Sequence, residues 1–243
     1  MEKALENLSR MGYPGRVIII GQDPSGKQSV VIYVLTGRSP SSQARKLEWK
    51  QDAIFTRPTD INVVRKGNVD LLIYPSILLF RGGIAVSNGQ QTSDIKDYFK
   101  RSQNPAEILN SALKKWDYEP DAPIFTPRIS GCVAPGGEAA LSIIKRAKDG
   151  SSTREIFQLS MTPGAGHMIC TYNGENRDPL LPFAGKPLDL KIEEYSARDM
   201  AEAAYKVLEP VDHKKDFRVA VACIFSKDLI LNEYDIKIIN RNK

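Results

Sequence analysis

The chain has 243 residues, of which 42% are apolar and 26% charged, and it carries a formal net charge of +5 at neutral pH. That usage belongs to an ordinary globular protein, long enough to bury a sizeable core as one domain over residues 1–243, and it excludes a disordered or fibrous chain. The basic residues are scattered among acids instead of forming a stripe with interleaved aromatics, which argues against a nucleic-acid partner and leaves a small phosphate ligand to explain the excess.

In chain order, the N-terminal stretch "MEKALENLSRMG" is charged and amphipathic and lacks a secretory apolar region. An apolar strand, "RVIIIG" (16–21), leads into "GQDPSGKQ", Gly21 to Gln28, which has the glycine and lysine spacing of a P-loop. Two features turn that reading down. Gln28 stands where a magnesium-binding hydroxyl is needed, and the following "SVVIYVLT" (29–36) is β-branched and aromatic where a P-loop opens a helix. Asp-Pro-Ser-Gly is turn chemistry, so the segment is predicted to be a hairpin loop. After a polar stretch, "TGRSPSSQARK", strands are predicted near 61–65, 70–80 and 83–87. Two helices follow: "SDIKDYFKRS", capped by Thr92 or Ser93, and "NPAEILNSALKKW", with Asn104 as cap and Pro105 at its first position. Strands at 126–134, 139–147, 154–161 and 166–172 read as a meander, and residues 173–196 as a loop. A helix, "SARDMAEAAYKVL", capped by Ser196, precedes two last strands, "FRVAVACIF" and "DLILNEYDIKII".

Strands in consecutive groups with helices between the groups argue against alternating parallel α/β architecture. Strands apolar at nearly every position imply sheets buried on both faces. The expected fold is α+β, a four-layer α-β-β-α sandwich of two mainly antiparallel sheets. The longest apolar runs are too short or too interrupted to span a bilayer, so no membrane partner and a cytoplasmic protein are expected. Cys132, Cys170 and Cys223 lie apart in apolar segments and read as buried thiols of a reducing compartment. His167 and His213 stand at no metal-ligand spacing; neither a metal nor another cofactor is expected, and both histidines read as structural or surface residues.

Four polar islands fall at strand ends or in loops, where ligands are usually bound: "MGYPGR", "YVLTGRSPSSQARK", "VSNGQQTSD" and "WDYEPDAPIFTPRISG". The second offers Arg38, Arg45 and the hydroxyls of Ser39, Ser41 and Ser42, a set that suits a phosphate monoester as well as a solvated serine loop. Asn88 ends a strand before a helix, from where it can present its amide to a ligand. Glu119 and Asp121, followed by Thr126 and Arg128, supply two carboxylates close enough to divide acid and base roles, or simply to decorate a proline turn.

Taken together, "GR", "TGRSPSSQARK", "SNGQQT", "DYEPD" and "TPRI" resemble, in order and approximate spacing from Gly15 to Arg128, the archaeal-type stand-alone IMP cyclohydrolase family. The resemblance implies a fold similar to N-terminal nucleophile hydrolases. It also implies closure of 5-formamidoimidazole-4-carboxamide ribotide to inosine 5′-monophosphate, the last step of purine synthesis. On that reading Glu119 and Asp121 transfer protons and Tyr74 binds the formyl oxygen. Arg38, Arg45 and Ser39 take the 5′-phosphate, Asn88 and Arg128 position base or ribose, and Arg16 lines the pocket. A purine ribotide is the expected partner, while a homo-oligomer and a formyltransferase partner stay open. The alternatives are an amide-hydrolysing relative of the same fold and a catalytically silent purine-nucleotide-binding protein. Against the first, the strand head is Gly15-Arg16, with no Cys, Ser or Thr to serve as nucleophile.

Overall fold

Two antiparallel sheets stacked face to face take up the apolar runs. The computed structural model describes residues 5–231 and 233–242. Residues 1–4 of the N-terminal amphipathic stretch and Asn232 of the last predicted strand lie outside them. The chain runs through α1 (Glu6–Ser9), β1 (Arg16–Gln22), β2 (Ser29–Thr36), α2 (Pro40–Gln43), β3 (Arg45–Lys50), β4 (Ala53–Pro58), α3 (Ile61–Val64), α4 (Val69–Leu72), β5 (Pro75–Phe80) and β6 (Gly83–Ser87). It continues through α5 (Gln91–Tyr98), α6 (Pro105–Ala112), β7 (Arg128–Val133), β8 (Ala139–Arg146), β9 (Ser152–Gln158), β10 (Ala165–Cys170), β11 (Leu188–Lys191), α7 (Ala197–Val207), β12 (Arg218–Asp228) and β13 (Glu233–Asn240).

One sheet has the order β11-β10-β1-β2-β12-β13 and the other β3-β4-β5-β6-β7-β8-β9, with each neighbouring pair antiparallel. β1 and β2 are buried on both faces. One face meets the opposite sheet, where a Cβ on Gly131 of β7 would lie 2.7 Å from Ile20 of β1. The other lies on the side of α7, whose Ala197, Met200, Ala201 and Ala204 recur at helical spacing and are buried as it packs on β12 and β13. On the far side α5 and α6 set Ile95, Ile108, Leu109 and Ala112 against small or slender residues of the second sheet, Ala85, Cys132, Ala140 and Ile144. The order of layers is therefore α-β-β-α. At one rim the sheets are joined by a side chain: the Asn240 amide donates to the Leu47 carbonyl at 2.9 Å and accepts from the Leu47 N–H at 2.8 Å. All three cysteines are buried, and among the described residues no helix is long and apolar enough to cross a membrane.

Several expectations change. In place of the predicted strand 61–65, Ile61–Val64 form helix α3, because Asp60 accepts from the Asn62 and Val63 amides and caps a turn that the β-branched valines disguise. Likewise Asn68 caps α4, so only Pro75–Phe80 of the predicted strand 70–80 is extended. The predicted meander ends at β9; β10 crosses into the other sheet. The loop 173–196 contains the short strand β11, and the hairpin β3–β4 follows the polar serine stretch unannounced. Helix α5 is not capped by Thr92 or Ser93: its N-cap is Gln90, and Thr92 donates to the Gly89 carbonyl from within the first turn.

The segment "GQDPSGKQ" is the hairpin loop between β1 and β2. Its amides are taken by its own anion: Asp23 Oδ1 accepts from the Gln28 N–H at 2.8 Å and Oδ2 from the Ser25 N–H at 3.3 Å and the Ser25 hydroxyl. Burial opposes the Asp23 charge, but these donors outweigh it and hold the carboxyl below its ordinary value. Asp23→Ala is expected to lower the unfolding free energy by about 1.5–3 kcal/mol in urea denaturation at neutral pH. Because the folded value is depressed, the contribution is present above the ordinary carboxylate range and is lost as pH falls through the folded value. Lys27→Ala is expected to change stability by less than about 0.5 kcal/mol.

Candidate active site

Five segments meet at the end of the sandwich where β1 begins and β2, β6 and β10 end: the head of β1, the serine loop after β2, the corner after β6, the turn before β7 and the residues after β10. Arg16 is placed here by the residue before it. Gly15 has φ +75°, and a Cβ on it would fall 2.0 Å from Thr171 Oγ1 and 2.7 Å from the Tyr172 ring, so the strand can enter this corner only through glycine. Thr171 then accepts from the Arg16 N–H at 3.1 Å.

From the opposite sheet, Glu119 reaches Arg16 in a buried ion pair of 2.6 Å between Nη2 and Oε1. The same oxygen accepts from Asn88 at 3.0 Å. Asn88 is fully committed: its amide nitrogen also donates to the Pro127 carbonyl, and its oxygen accepts from the Ile129 N–H and from Gln91. Asn-Gly after a strand ordinarily favours a hairpin turn, and this network holds the corner into α5 instead. Ser87, Gly89 and Thr92 add a second knot, with the Ser87 hydroxyl donating to the Gly89 carbonyl. Arg128 stands behind Glu119, donating to the Asp117 carbonyl and to Gln91 with its guanidinium 4.8 Å from the Trp116 ring centroid.

Asp121 lies two residues beyond Glu119 in a turn closed by Thr126. Its Oδ1 accepts from the Thr126 N–H at 2.7 Å and its Oδ2 from the Thr126 hydroxyl at 2.5 Å. Thr126 is in turn 2.8 Å from the hydroxyl of Tyr172, whose ring stacks on Tyr13 with centroids 5.6 Å apart.

The serine loop closes the cleft. Ser39 caps α2 in a reciprocal capping box with Ser42. Arg38 hydrogen-bonds the Arg177 carbonyl and lies over Tyr13. Arg45 is buried beneath the loop and donates from Nε to the Ser42 carbonyl. Tyr74, also buried, is hydrogen-bonded to Tyr33 at 2.8 Å. Arg45 Nη1 and Arg16 Nε are buried donors without a hydrogen-bond partner among the described residues; of the two, only Arg16 belongs to a residue that lines the cleft.

The resulting cleft has a volume of about 270 Å³. Of the residues singled out in the sequence, Arg16, Arg38, Ser39, Glu119 and Asp121 line it, joined by Ser41, Ser42 and Thr126. Arg45, Tyr74, Asn88 and Arg128 do not line it and stand one layer behind. Tyr13, Asn68 and Tyr172 line it and escaped notice. Tyr13 lies in the island "MGYPGR" and Tyr172 just beyond β10, the strand of His167 and Cys170. His167 itself bridges Asp189 and the Ser160 carbonyl, away from the cleft.

Electrostatics sort the acids. Burial pushes the Glu119 carboxyl above its ordinary value against the pull of Arg16 and Arg128, with Asp121 adding to the rise. Burial works against the Arg16 charge too, but Glu119 and the surrounding tyrosines outweigh it and hold the guanidinium well above its usual range. Burial also pushes the Tyr172 hydroxyl up to about 12, so it stays protonated at neutral pH. A buried acid of raised pKa beside a carboxylate that accepts two hydrogen bonds from Thr126, with arginine and serine donors in the same cleft, can bind an anion and move a proton in each direction.

A family model described as IMP cyclohydrolase-like protein matches residues 13–228, a span that contains every residue of the cleft. Two proteins named IMP cyclohydrolase, from Halobacterium salinarum strains R1 and NRC-1, are each 30% identical to the chain over 190 residues, which is 76% of the chain and 85% of the relative.

Removing one member of a buried ion pair leaves an uncompensated charge, so Arg16→Met is expected to cost about 3–5 kcal/mol of stability. The double replacement Arg16→Met with Glu119→Leu should cost less than the sum of the two single changes. Urea denaturation of the four proteins in a mutant cycle checks this, and additivity would show that the pair is not coupled.

Proposed function

The chain belongs to the IMP cyclohydrolase-like family, and on that premise we propose that its cleft closes 5-formamidoimidazole-4-carboxamide ribotide to inosine 5′-monophosphate with loss of water. The observation that carries the reading is the gathering of two sets of groups in one cleft: Glu119 with Arg16 and Asp121, and Arg38 with the serine loop. Such an activity belongs to hydrolases acting on carbon–nitrogen bonds in cyclic amidines. The carboxamide nitrogen attacks the neighbouring formyl carbon, and the carbinolamine sheds its hydroxyl as water. Both partners belong to one molecule, so the protein has to fold the formyl group onto the amide, take a proton from nitrogen and give one to oxygen. The substrate is itself the product of a formyl transfer, which makes a formyltransferase the neighbouring enzyme in the reaction sequence.

In this reading Glu119, whose carboxyl burial pushes toward the neutral form, is charged against Arg16 in the free protein, takes up a proton with the substrate and is the general acid toward the formyl oxygen; Asp121 is the final base. Arg16 holds Glu119 and offers its free Nε to substrate. Arg38 and Ser39 take the 5′-phosphate. Arg45 supports that site through the Ser42 carbonyl, and Asn88 and Arg128 support Glu119 from behind. Tyr74, paired with Tyr33, backs the charge of Arg16. The amide-hydrolysing alternative wants a nucleophile where Arg16 stands, and its test is intact mass: a chain cut to expose Cys, Ser or Thr would favour it.

Purified protein incubated with the formylated ribotide should form inosine monophosphate, followed by absorbance or mass. Arg38→Ala should weaken ribotide binding roughly ten- to a hundredfold, as loss of a charge-assisted contact does, and affect the dephosphorylated nucleoside far less. Equal effects on both ligands would remove Arg38 from the phosphate site. Glu119→Gln should lower kcat by about 10² to 10⁴, with product binding of the folded protein little changed. An acid of raised pKa works while protonated, so turnover should decline as pH rises through the folded value, and this limb should vanish in Glu119→Gln. Retained turnover in that variant would leave the protein a nucleotide binder with no role for Glu119 in chemistry.

A further inference from the structure

Tyr172 and Thr126 have no part in the assignment above, yet both line the cleft beside Asp121 and are chained to it through hydrogen bonds of 2.8 and 2.5 Å. The direction of those bonds is fixed by proton supply. A carboxylate has none to give, so the single hydroxyl proton of Thr126 points at Asp121 Oδ2. Thr126 Oγ1 is then an acceptor toward Tyr172, and Tyr172 must donate. With its proton committed inward, the oxygen of Tyr172 keeps only lone pairs for the cleft it lines. It offers an N–H donor an acceptor that is wired to a carboxylate.

The wire is rigid. The tyrosine ring stacks on Tyr13 at an interplanar angle of 23° and lies close to the bare backbone of Gly15, where any Cβ would be 2.7 Å from it. Asp121 is fixed by its second oxygen on the Thr126 N–H, and its backbone carbonyl accepts from the Ile124 and Phe125 N–H groups. The charged groups that act on Tyr172 are Arg16 and Asp121.

We propose that Tyr172 is a catalytic residue of the cyclisation and that Tyr172, Thr126 and Asp121 form a reversible proton relay; the proposal rests on the cyclohydrolase reading. As the carboxamide nitrogen bonds to the formyl carbon, its proton passes to Tyr172, that of Tyr172 to Thr126 and that of Thr126 to Asp121. The carbon–oxygen π bond opens, and the oxygen takes the proton of Glu119. In the dehydration the relay runs backwards. Glu119 takes the proton of the former formamide nitrogen, and the carbon–nitrogen double bond forms. The hydroxyl leaves as water with the proton returned from Asp121 through Thr126 and Tyr172. Two protons leave the substrate with one oxygen, and every side chain ends as it began.

The test is a set of rate measurements with the formylated ribotide on wild type, Tyr172→Phe, Thr126→Val and Thr126→Ser, in mixtures of light and heavy water. Thr126→Val keeps the shape and removes the hydroxyl; Thr126→Ser restores it. Thermal melting and inosine monophosphate binding report whether each variant is folded. Tyr172→Phe and Thr126→Val should lose about 10²- to 10³-fold in kcat with KM within a few-fold, and Thr126→Ser should recover to within about tenfold of wild type. The wild-type rate plotted against deuterium fraction should be curved, as several protons in flight require. A straight plot, a Thr126→Val enzyme of near-normal kcat, or a folded Thr126→Ser enzyme as slow as the valine variant would each overturn the relay while leaving the cyclohydrolase reading intact. A wild-type protein without turnover would overturn that reading and the relay with it. The wild-type plot needs no substitution, so a variant that fails to fold does not shield the proposal.

Discussion

The ion pair between Arg16 and Glu119 joins the two sheets at the mouth of the sandwich, and most of the site's geometry depends on it. Arg16 rides on β1 of one sheet, while Glu119 is anchored through Asn88 to β6 and β7 of the other. Taking both charges out of water costs several kcal/mol per ion before their attraction is counted, so a pair like this is weak evidence for stability. Its value lies in register. The setting of the sheets that brings Nη2 to 2.6 Å from Oε1 also brings Thr126 against Tyr172. Two polar contacts between sheets thereby fix the width of the cleft from its own walls.

The consequence is a division of labour that burial makes plain. Residues that line the cleft are held by residues that never reach it. Asn88 spends all of its hydrogen-bonding capacity on neighbours, Arg45 holds up the serine loop, and Arg128 is clamped between Trp116 and Gln91. Supporting residues of this kind keep reacting groups within a fraction of an ångström of their working positions. A motif read in sequence mixes the two kinds, because both are polar and both sit in loops.

The architecture was legible in the sequence where the physics is local. Both-face burial announced itself in "RVIIIG" and "VAVACIF", and the caps Asn104 and Ser196 sit where their side chains predict. The β-branched valines of 61–65 misled, because propensity is a weak prior and the cap at Asp60 decided the turn. The hairpin β3–β4 hid because Lys46, Glu48 and Lys50 made an edge strand look like polar loop. Of the residues that line the cleft, the charged ones stood out in the sequence and Tyr13 and Tyr172 did not; the tyrosine that was named, Tyr74, does not line it. A tyrosine in an apolar strand end looks like core, and only the crossing of β10 into the first sheet turns Tyr172 toward Thr126. The P-loop spacing at Gly21 misdirects for a related reason: it counts glycines and a lysine but not Asp23, which fills the loop with an anion of its own.

The bond between Asn240 and Leu47 has a consequence beyond holding the rim. A sheet edge is a row of unpaired N–H and C=O groups onto which a second chain can add a strand, and β3 and β13 are edges of their respective sheets. A primary amide carries the same donor and acceptor as a peptide, so Asn240 occupies the backbone of Leu47 as a neighbouring strand would, without extending the sheet. Alternating charges on β3 guard the positions on either side. One asparagine thus serves as a stopper against edge-to-edge aggregation at the place where two open sheets come closest to presenting a shared template.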